Sequence, residues 1–502
     1  MIREKNMSVD NEKNPVLGID LGTTFSAIAR WDGREPRTYQ TKGGGDTLQS
    51  VVYYDPKKTE FLVGKLAYRR GLLYPENMAL GIKRKIDDAS QKIEVGGQQF
   101  SPVELSSKIL ERLYSDVAEK FPQGQFESRG TVVTVPYYFK AHQCENTRQA
   151  AEAANINCIG ILQEPIAASL SYAWQLVQDH PEREVSENIL VFDLGGGTFD
   201  LTLFELKQTK EKLLFEVMAT GGNDRLGGMD FDESLVQLFL RKGDITLDGL
   251  SETNKRKPRQ KLIESAVNTK VTLSSMESDY VTITDILPGK YIDTEINRAE
   301  FENSIQVYIN KIEAIIEKLW VTANIKPTNI DRVILVGGSS KIPRFKSLLC
   351  DLIGEDKVYA NTNPDLCVAQ GAAMYAAYLD DREVFGREIE IRTRTCHGLG
   401  VETVQGKFKE IIPANRKTPC QNTQIFTNDA DNAIQLDIKV YQGSAPLVKD
   451  NTLIGTLNIP GLPPKRRGEL DIRVTFKVGE EQTLSVTVEV EGMRKSALLK
   501  YA

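Results

Sequence analysis

One short motif occurs twice in the sequence and constrains the fold more than any other feature. VLGIDLGTTF (16–25) and ILVFDLGGGTF (189–199) each run from apolar residues into an aspartate, then into glycine and threonine. Glycine at a tight turn lets backbone N–H groups converge on an anion, because no Cβ blocks the approach. We interpret each copy as a hairpin that binds phosphate. The alternative is a pair of ordinary glycine turns.

The aspartates of the two motifs, Asp20 and Asp193, carry the same sign of charge as a phosphate. They cannot bind it directly, but a carboxylate can hold a hydrated Mg²⁺ ion that does. We therefore predict that Asp20 and Asp193 bind Mg²⁺ through water.

A third glycine turn occurs in VILVGGSSKIPRF (333–345). Four apolar residues precede Gly337, Gly338 and Ser339, and a helical pattern follows, as where a nucleotide binds at a helix N-terminus. Alone, such a turn is as often structural. Its position after the two hairpins favours a nucleotide contact.

Composition narrows the class of protein. The chain has 502 residues, which predicts two to four domains, and its net charge of −6 argues against a general nucleic-acid binder. No apolar run approaches membrane-spanning length, and the first fifteen residues lack the apolar centre of a signal peptide. The six cysteines form no CxxC pair, as expected of reduced thiols. We expect a cytoplasmic protein that binds neither nucleic acid nor membrane.

Hydrophobic periodicity predicts the secondary structure. Residues 101–120 and 304–320 repeat apolar residues every three to four positions, which predicts two helices. Residues 241–260 are polar and basic, and we interpret them as an exposed connection.

The pattern changes after about residue 385. Residues 434–443, 469–478 and 483–490 alternate strictly between apolar and polar positions, as antiparallel strands with one buried face do. We predict that they form a separate β-sandwich.

Taken together, these motifs resemble the actin-like ATPase superfamily of sugar kinases, actins and 70-kDa heat-shock chaperones. The chaperone branch is indicated by TVPYYFKAHQCENTRQAAEAANI (134–156), LQEPIAASLSYA (162–173), RLGGMDFDESL (225–235) and NPDLCVAQGAA (363–373), together with both hairpins. The resemblance covers residues 16 to about 490.

This resemblance implies a two-lobed, actin-like (ribonuclease H-like) α/β ATPase domain followed by an all-β peptide-binding sandwich. The predicted boundaries are a polar tail (1–15), the nucleotide-binding domain (16–384), a linker (385–395) and a sandwich without a helical lid (396–502). Because the family continues into such a lid and this sequence ends at Ala502, we expect bound peptide to exchange quickly.

The resemblance also implies the cofactors and the site residues. It implies ATP or ADP with Mg²⁺, and K⁺ as a further ion. The catalytic residues would be Thr23, Glu164, Asp193 and Thr198, with Glu164 orienting or deprotonating the attacking water. The nucleotide contacts would be Asp20, Gly22, Thr23, Thr24, Gly195, Gly196, Gly197, Thr198, Lys270, Ser274, Gly337, Gly338, Ser339 and Asp365. The peptide pocket would be formed by Val401, Val404, Phe426, Leu436, Ile438 and Ile472, which as alternating apolar residues are equally typical of sandwich core.

Several positions depart from the family pattern. Tyr68 occupies the place where we expect a lysine aimed at the γ-phosphate, although Lys65 or Arg69 could supply the charge. Cys144 replaces an arginine that relays the nucleotide state, and Val267 replaces an acid that contacts the ribose.

The peptide-binding half departs as well. The linker REIEIRTRTC (387–396) interleaves charged residues with its aliphatics, and Asp429 replaces a small apolar residue that arches over the peptide. We therefore predict an ATP-dependent chaperone with weak or specialised ATPase and allostery.

The partners implied are unfolded clients, a J-domain cochaperone and a nucleotide exchange factor. Because J-domains recognise the linker surface, we expect a generic J-domain to stimulate this protein poorly. The alternative is a nucleotide-binding scaffold or holdase that hydrolyses ATP very slowly. A sugar kinase is disfavoured, because the β-sandwich leaves no sugar-binding domain.

Overall fold

A computed structural model describes residues 14–88, 90–122, 126–179, 184–359, 363–479 and 483–500. The predicted polar tail, 1–15, lies almost entirely outside them. The described residues form a mixed α/β protein with several sheets. Among their helices, none combines the length and the apolar character needed to cross a membrane.

The first half of the α/β region is built around one mixed sheet. The strands of this half are β1 (Val16–Asp20), β2 (Phe25–Trp31), β3 (Pro36–Thr38), β4 (Leu48–Gln49), β5 (Val52–Asp55), β6 (Glu60–Val63), β7 (Met78–Ala79), β8 (Ile93–Val95), β9 (Gln98–Phe100), β10 (Gly130–Val135) and β11 (Cys158–Gln163). Strands β5, β6 and β7 form a separate small sheet, and so do β8 and β9. Its helices are α1 (Lys65–Leu73), α2 (Pro102–Ala118), α3 (Ala141–Ala153) and α4 (Glu164–Asp179).

The second half has a similar central sheet. The strands of this half are β12 (Val185–Leu194), β13 (Phe199–Gln208), β14 (Lys212–Asn223), β15 (Ser278–Leu287), β16 (Lys290–Asn297), β17 (Arg332–Val336) and β18 (Val358–Tyr359), of which β15 and β16 form a separate two-stranded sheet. Its helices are α5 (Gly228–Lys242), α6 (Glu252–Leu273), α7 (Arg298–Ser304), α8 (Gln306–Ala323), α9 (Pro343–Ile353) and α10 (Cys367–Asp380).

The two central sheets repeat one topology. The first has the strand order β11-β10-β1-β2-β3, and the second has the order β18-β17-β12-β13-β14. In each, an antiparallel hairpin precedes a strand that pairs in parallel with its first arm, β10 with β1 and β17 with β12. Helices α4 and α10 share one core with both sheets, through residues such as Val132, Ile166, Val191 and Ala372. The duplicated hairpins therefore lie at equivalent places in two packed halves.

The chain continues through strand β19 (Glu388–Arg392) into eight further strands. These are β20 (Leu399–Thr403), β21 (Lys407–Ile412), β22 (Cys420–Phe426), β23 (Gln435–Gln442), β24 (Thr452–Pro460), β25 (Ile472–Val478), β26 (Thr483–Val490) and β27 (Met493–Lys500). They form two four-stranded antiparallel sheets, β21-β20-β23-β24 and β22-β25-β26-β27, with one shared core. The three predicted strands, 434–443, 469–478 and 483–490, are confirmed as β23, β25 and β26.

The two predicted helices are confirmed as α2 and α8, but the exposed connection at 241–260 is wrong in its second part. Helix α6 begins at Glu252, because the Ser251 hydroxyl accepts a hydrogen bond from the N–H of Asn254 at 3.3 Å. Pro258 lies inside this helix and is buried. The polar residues of α6 led to its interpretation as a loop. In the structure they form one face of a helix whose other face packs on α5.

The predicted linker does not run freely between the two parts. Strand β19 pairs in parallel with β14, and Glu390 and Arg392 form ion pairs with Lys212 and Glu216 of that strand. The charges interleaved in the linker are thus matched by charges on its neighbour. Because β19 completes the second central sheet, the sandwich begins directly at the edge of the α/β region.

Candidate nucleotide site

The tips of the two glycine hairpins meet between the halves. A Cβ added to Gly196 would lie 1.9 Å from Oγ1 of Thr24, and one added to Gly197 would lie 2.6 Å from Oγ1 of Thr23. Real side chains do not approach so closely, so glycine is required for the hairpins to face each other. Gly22 is constrained within its own turn, because a Cβ there would lie 1.9 Å from the carbonyl oxygen of Phe25.

The third glycine turn, at Gly337 and Gly338, lies beside the second hairpin. Gly337 has a φ of 78°, which favours glycine, and a Cβ there would lie 2.8 Å from Oδ1 of Asp193. A Cβ added to Gly338 would meet only Oδ1 of Asp365, at 3.7 Å, so this glycine borders open space. Such a position has room for a ligand to approach the backbone.

A further glycine pair, which sequence reasoning did not assign to the site, packs on the second hairpin. The N–H of Gly228 donates to the carbonyl of Gly195 at 3.0 Å, and the N–H of Met229 donates to that of Gly196 at 2.8 Å. Gly227 and Gly228 begin helix α5, so this helix starts directly on the turn. The motif RLGGMDF carried this signal.

Four carboxylates converge at the carboxyl ends of β1 and β12, at the start of β13 and at the start of α4: Asp20, Asp193, Asp200 and Glu164. Burial, and then the neighbouring Glu164, raise the pKa of Asp20 to about 7. The same two causes raise the pKa of Asp200 to about 7 and that of Asp193 well above its usual value. Asp200 ends the motif VFDLGGGTFD, yet it was missed as a site residue.

One buried cation faces these carboxylates. The ammonium of Lys83 forms an ion pair with Glu164, and both side chains are less than a tenth exposed. Burial alone would lower the pKa of Lys83, but Glu164 and Asp20 raise it, and the net shift is upward. Lys83 is therefore a charged ammonium inside the site.

The next residue, Arg84, bridges the halves. Its Nε donates to the carbonyl of Gly197 at 2.9 Å, and its Nη2 lies 2.5 Å from the Asp230 carboxylate on α5. Lys83 and Arg84 belong to one short helix, Ile82–Lys85, and neither was predicted. In the sequence, the run Lys-Arg-Lys is typical of an exposed charged surface. Only the tertiary structure shows that its first two residues lie inside the site.

The position of Tyr68 was misjudged. Tyr68 packs against Val51, Tyr53 and Ala67. Its pKa is raised to about 12 by burial and then by Glu264. It does not replace the missing cation, because Lys83 supplies a positive charge beside Glu164 and Asp20.

We expect Tyr68→Lys to change the rate of ATP hydrolysis less than about threefold, because the new charge would face Glu264 and Asp232 rather than the phosphate site. Single-turnover hydrolysis of bound ATP measures this. A rise of tenfold or more would restore the interpretation of Tyr68 as the position of the missing cation.

The predicted nucleoside contacts lie around α6 and the third turn. Lys270 pairs with Asp232 at 2.6 Å and donates to the carbonyl of Gly228 at 3.1 Å, whereas the Ser274 hydroxyl bonds within its own helix. Asp365 lies 2.5 Å from Lys341. Ser339 is buried beside Gly228.

The residues present fit a Mg²⁺ ion. Burial raises three of the carboxyl pKa values, and repulsion among four carboxylates that face the ammonium of Lys83 raises them further. A divalent cation would remove that repulsion. Within the described residues, no three His, Cys, Asp or Glu side chains converge closely enough to hold a metal directly.

These pKa values predict a pH dependence. Between about pH 4 and pH 7 the folded protein keeps protons on Asp20 and Asp200 that the unfolded chain releases, so its free energy of unfolding falls as pH rises. Above about pH 7 this contribution is constant. Urea unfolding of the nucleotide-free protein across this window measures the slope, and Asp200→Asn should reduce it. An unchanged slope in that variant would contradict the assignment.

The six peptide-pocket candidates are placed differently from one another. Val401, Ile438 and Ile472 are buried in the sandwich core, and Phe426 and Leu436 pack against it. Val404 is half-exposed, and Asp429 is exposed. The structure therefore leaves Val404 the most accessible of the six.

The sandwich contacts the first half directly. The N–H of Ala141 donates to Oε1 of Gln442 at 3.2 Å, and Nε2 of His397 lies 3.0 Å from the carbonyl of Tyr138. Cys144, on the same helix as Ala141, is buried against Ile86, Val135 and Phe139. Cys144 is the position at which the resemblance implied an arginine that relays the nucleotide state.

Comparison with known proteins agrees with this architecture. A sequence profile described as Hsp70 protein matches residues 16–500. The chain is 34% identical over 509 residues to the chaperone protein dnaK of Emiliania huxleyi, 33% over 515 residues to that of Deinococcus deserti, and 35% over 510 residues to that of Gracilaria tenuistipitata. Each alignment covers 96% of this chain and 78% of the relative.

Proposed function

The chain belongs to the Hsp70 family, and on that premise we propose that it is an ATP-dependent chaperone that binds extended segments of unfolded polypeptides. The observation that carries the proposal is the meeting of three glycine turns around a buried cluster of carboxylates that contains one ammonium, Lys83. ATP would bind there with Mg²⁺ held through water by Asp20 and Asp193.

The roles of the remaining site residues follow from their positions. Bound Mg²⁺ supplies positive charge to the phosphates. The backbone N–H groups of the glycine turns, with Thr23 and Thr198, would orient the γ-phosphate. Lys83 would stabilise charge that develops on it, and Glu164 would orient the attacking water and accept its proton. Phosphoryl transfer needs such positioned charge more than covalent chemistry.

The sandwich would bind the polypeptide. Its strands alternate apolar and polar residues, and Val404, Phe426 and Leu436 lie at or near the surface of its core. The contacts of Ala141 and of His397 with their partners across the interface offer a physical route from nucleotide to peptide. We propose a J-domain cochaperone and a nucleotide exchange factor as partners, and a cytoplasmic location.

The alternative is a scaffold that hydrolyses ATP very slowly. We favour it less, because Lys83 places a positive charge beside Glu164.

The test is single-turnover hydrolysis of ATP, together with the dissociation rate of a fluorescent extended peptide measured with ATP and with ADP. We expect Mg²⁺-dependent hydrolysis and a peptide release rate that depends on the nucleotide. Failure to bind ATP with Mg²⁺ would overturn the proposal. Binding without hydrolysis would favour the scaffold.

A further inference from the structure

A cleft outside the nucleotide site lies between the two parts of the chain. Its volume is about 1150 Å³, and its walls are strand β11, helix α10, strand β19 and residues 415–421 at the start of β22. Among the described residues that line it, none belongs to the nucleotide contacts named above. The cleft is therefore separate from the nucleotide site.

The outer edge of β19 faces this cleft. Beyond the strand, the carbonyl of Thr393 accepts from the N–H of Thr418 at 3.1 Å, and the N–H of Thr395 donates to the carbonyl of Arg416 at 2.9 Å. Odd-numbered residues of this segment thus direct their backbone groups away from β14, while the N–H of Glu388 donates toward it. By the two-residue alternation of a strand, the backbone N–H and carbonyl groups of Ile389 and Ile391 also point away from β14.

No described strand pairs with that edge. β19 is the last strand of its sheet, as β11 and β22, which also line the cleft, are of theirs. An unpaired strand edge is a template for an added strand, and residues 416–418 already occupy it at 393–395. An extended segment of another chain would continue that pairing along Ile389 and Ile391.

The cleft also carries a surplus of positive charge. Four arginines line it without a carboxylate partner among the described residues: Arg148, Arg382, Arg394 and Arg416. Arg394 donates to the backbone carbonyls of Val217 and Asn415 at 2.8 Å, which leaves its charge uncompensated.

The lining acids do not offset these arginines. The carboxylate of Glu390 is held by Lys212 and Arg392. Glu388 lies 3.8 Å from the same Lys212. The guanidinium of Arg382 contacts a neutral group, the ring of Tyr378, whose centroid lies 4.5 Å away. The ligand that fits this arrangement is anionic, and its backbone is extended.

We propose that this cleft binds an extended acidic segment of a partner polypeptide. The segment adds as a strand to the outer edge of β19, and its carboxylates pair with the unpaired arginines. This goes beyond the proposed function, because the site lies outside the sandwich core and selects charge rather than apolar side chains.

The experiment uses the full chain and a fluorescent peptide of about ten residues that alternates glutamate with valine. Fluorescence anisotropy at low salt measures its affinity. The same peptide with lysine for glutamate tests the charge, and one with N-methyl groups on alternate amides tests strand addition. We expect both altered peptides to bind at least about tenfold more weakly.

Protein variants locate the site. The double variant Arg382→Ala with Arg416→Ala changes two exposed side chains and should weaken binding about tenfold, since hydrogen bonds to charged groups are the stronger ones. Arg34→Ala, an exposed arginine between β2 and β3, is the matched control and should leave affinity unchanged. Hydrogen exchange should show protection of residues 388–392 on binding.

Three results would overturn the proposal. The first is that the double variant binds the peptide with the same affinity as the wild-type chain. The second is that hydrogen-exchange protection falls on β20 and β23 instead of β19. The third is that an oligonucleotide competes with the peptide and binds equally well. The last would assign the arginines to a nucleic-acid backbone. None of these results bears on ATP binding, so failure here leaves the proposed function standing.

Discussion

Replacing Lys83 by methionine is expected to lower the rate of ATP hydrolysis by about a hundredfold or more. Its ammonium is the one buried cation that the described residues place beside Glu164 and the aspartates of both hairpins. Methionine fills similar volume without charge, so charge developing in the transition state loses its positioned partner. Single-turnover hydrolysis measures the effect, and calorimetry checks that ATP still binds.

Two controls separate chemistry from folding. Lys83→Met leaves the buried Glu164 without its partner, which destabilises a protein by about 3–5 kcal/mol. Adding Glu164→Gln removes that unpaired charge and should restore stability, which would assign the destabilisation to the unpaired Glu164; hydrolysis is not the readout of this double variant, because Glu164 is itself part of the proposed machinery. Lys108→Met, on an exposed ion pair with Glu111, is the matched surface control and should hydrolyse normally. Hydrolysis by Lys83→Met within tenfold of the wild-type rate would contradict the role of Lys83.

The hairpins could be predicted from sequence because their signal is local. An aspartate followed by glycine and threonine reports a turn whose backbone must be approached closely, and glycine itself encodes that requirement. The structure brings Gly196 against Thr24 and Gly337 against Asp193, as three converging turns require. The duplicated topology of the sheets then follows from the duplicated motif.

Lys83 could not be found in this way, because its environment is made by distant parts of the chain. Glu164 lies 81 residues away in sequence, and nothing near Lys83 distinguishes it from the exposed Lys85. Tyr68 was examined instead because of a spacing rule, and spacing does not tell which side of a helix faces the site.

The linker shows the same limit in another form. Its charges depart from the family pattern in the sequence, but Lys212 and Glu216 on β14 pair with Glu390 and Arg392. Pairing of this kind depends on two strands far apart in sequence. Alternation in the sandwich likewise predicted which residues share a face, yet it could not separate the buried Val401 from the exposed Val404.

Replacing Gly196 by valine is expected to weaken binding of Mg²⁺·ATP by at least about a hundredfold. Its Cβ would lie 1.9 Å from Oγ1 of Thr24 and 3.0 Å from the Thr24 Cβ, so the two hairpins would have to separate. Their backbone N–H groups would then no longer converge on the same phosphates. Isothermal titration calorimetry with and without Mg²⁺ measures the loss.

Gly43→Val is the matched control, since a Cβ there meets only Oγ1 of Thr41 at 3.6 Å in an exposed loop. It should bind ATP as the wild type does. Gly338→Ala covers the case in which Gly196→Val fails to fold, because its Cβ enters open space near Asp365 without touching other protein atoms closely. We expect normal unfolding stability and weaker nucleotide binding in that variant. Unchanged ATP affinity in both Gly196→Val and Gly338→Ala would mean that the nucleotide does not lie between these turns.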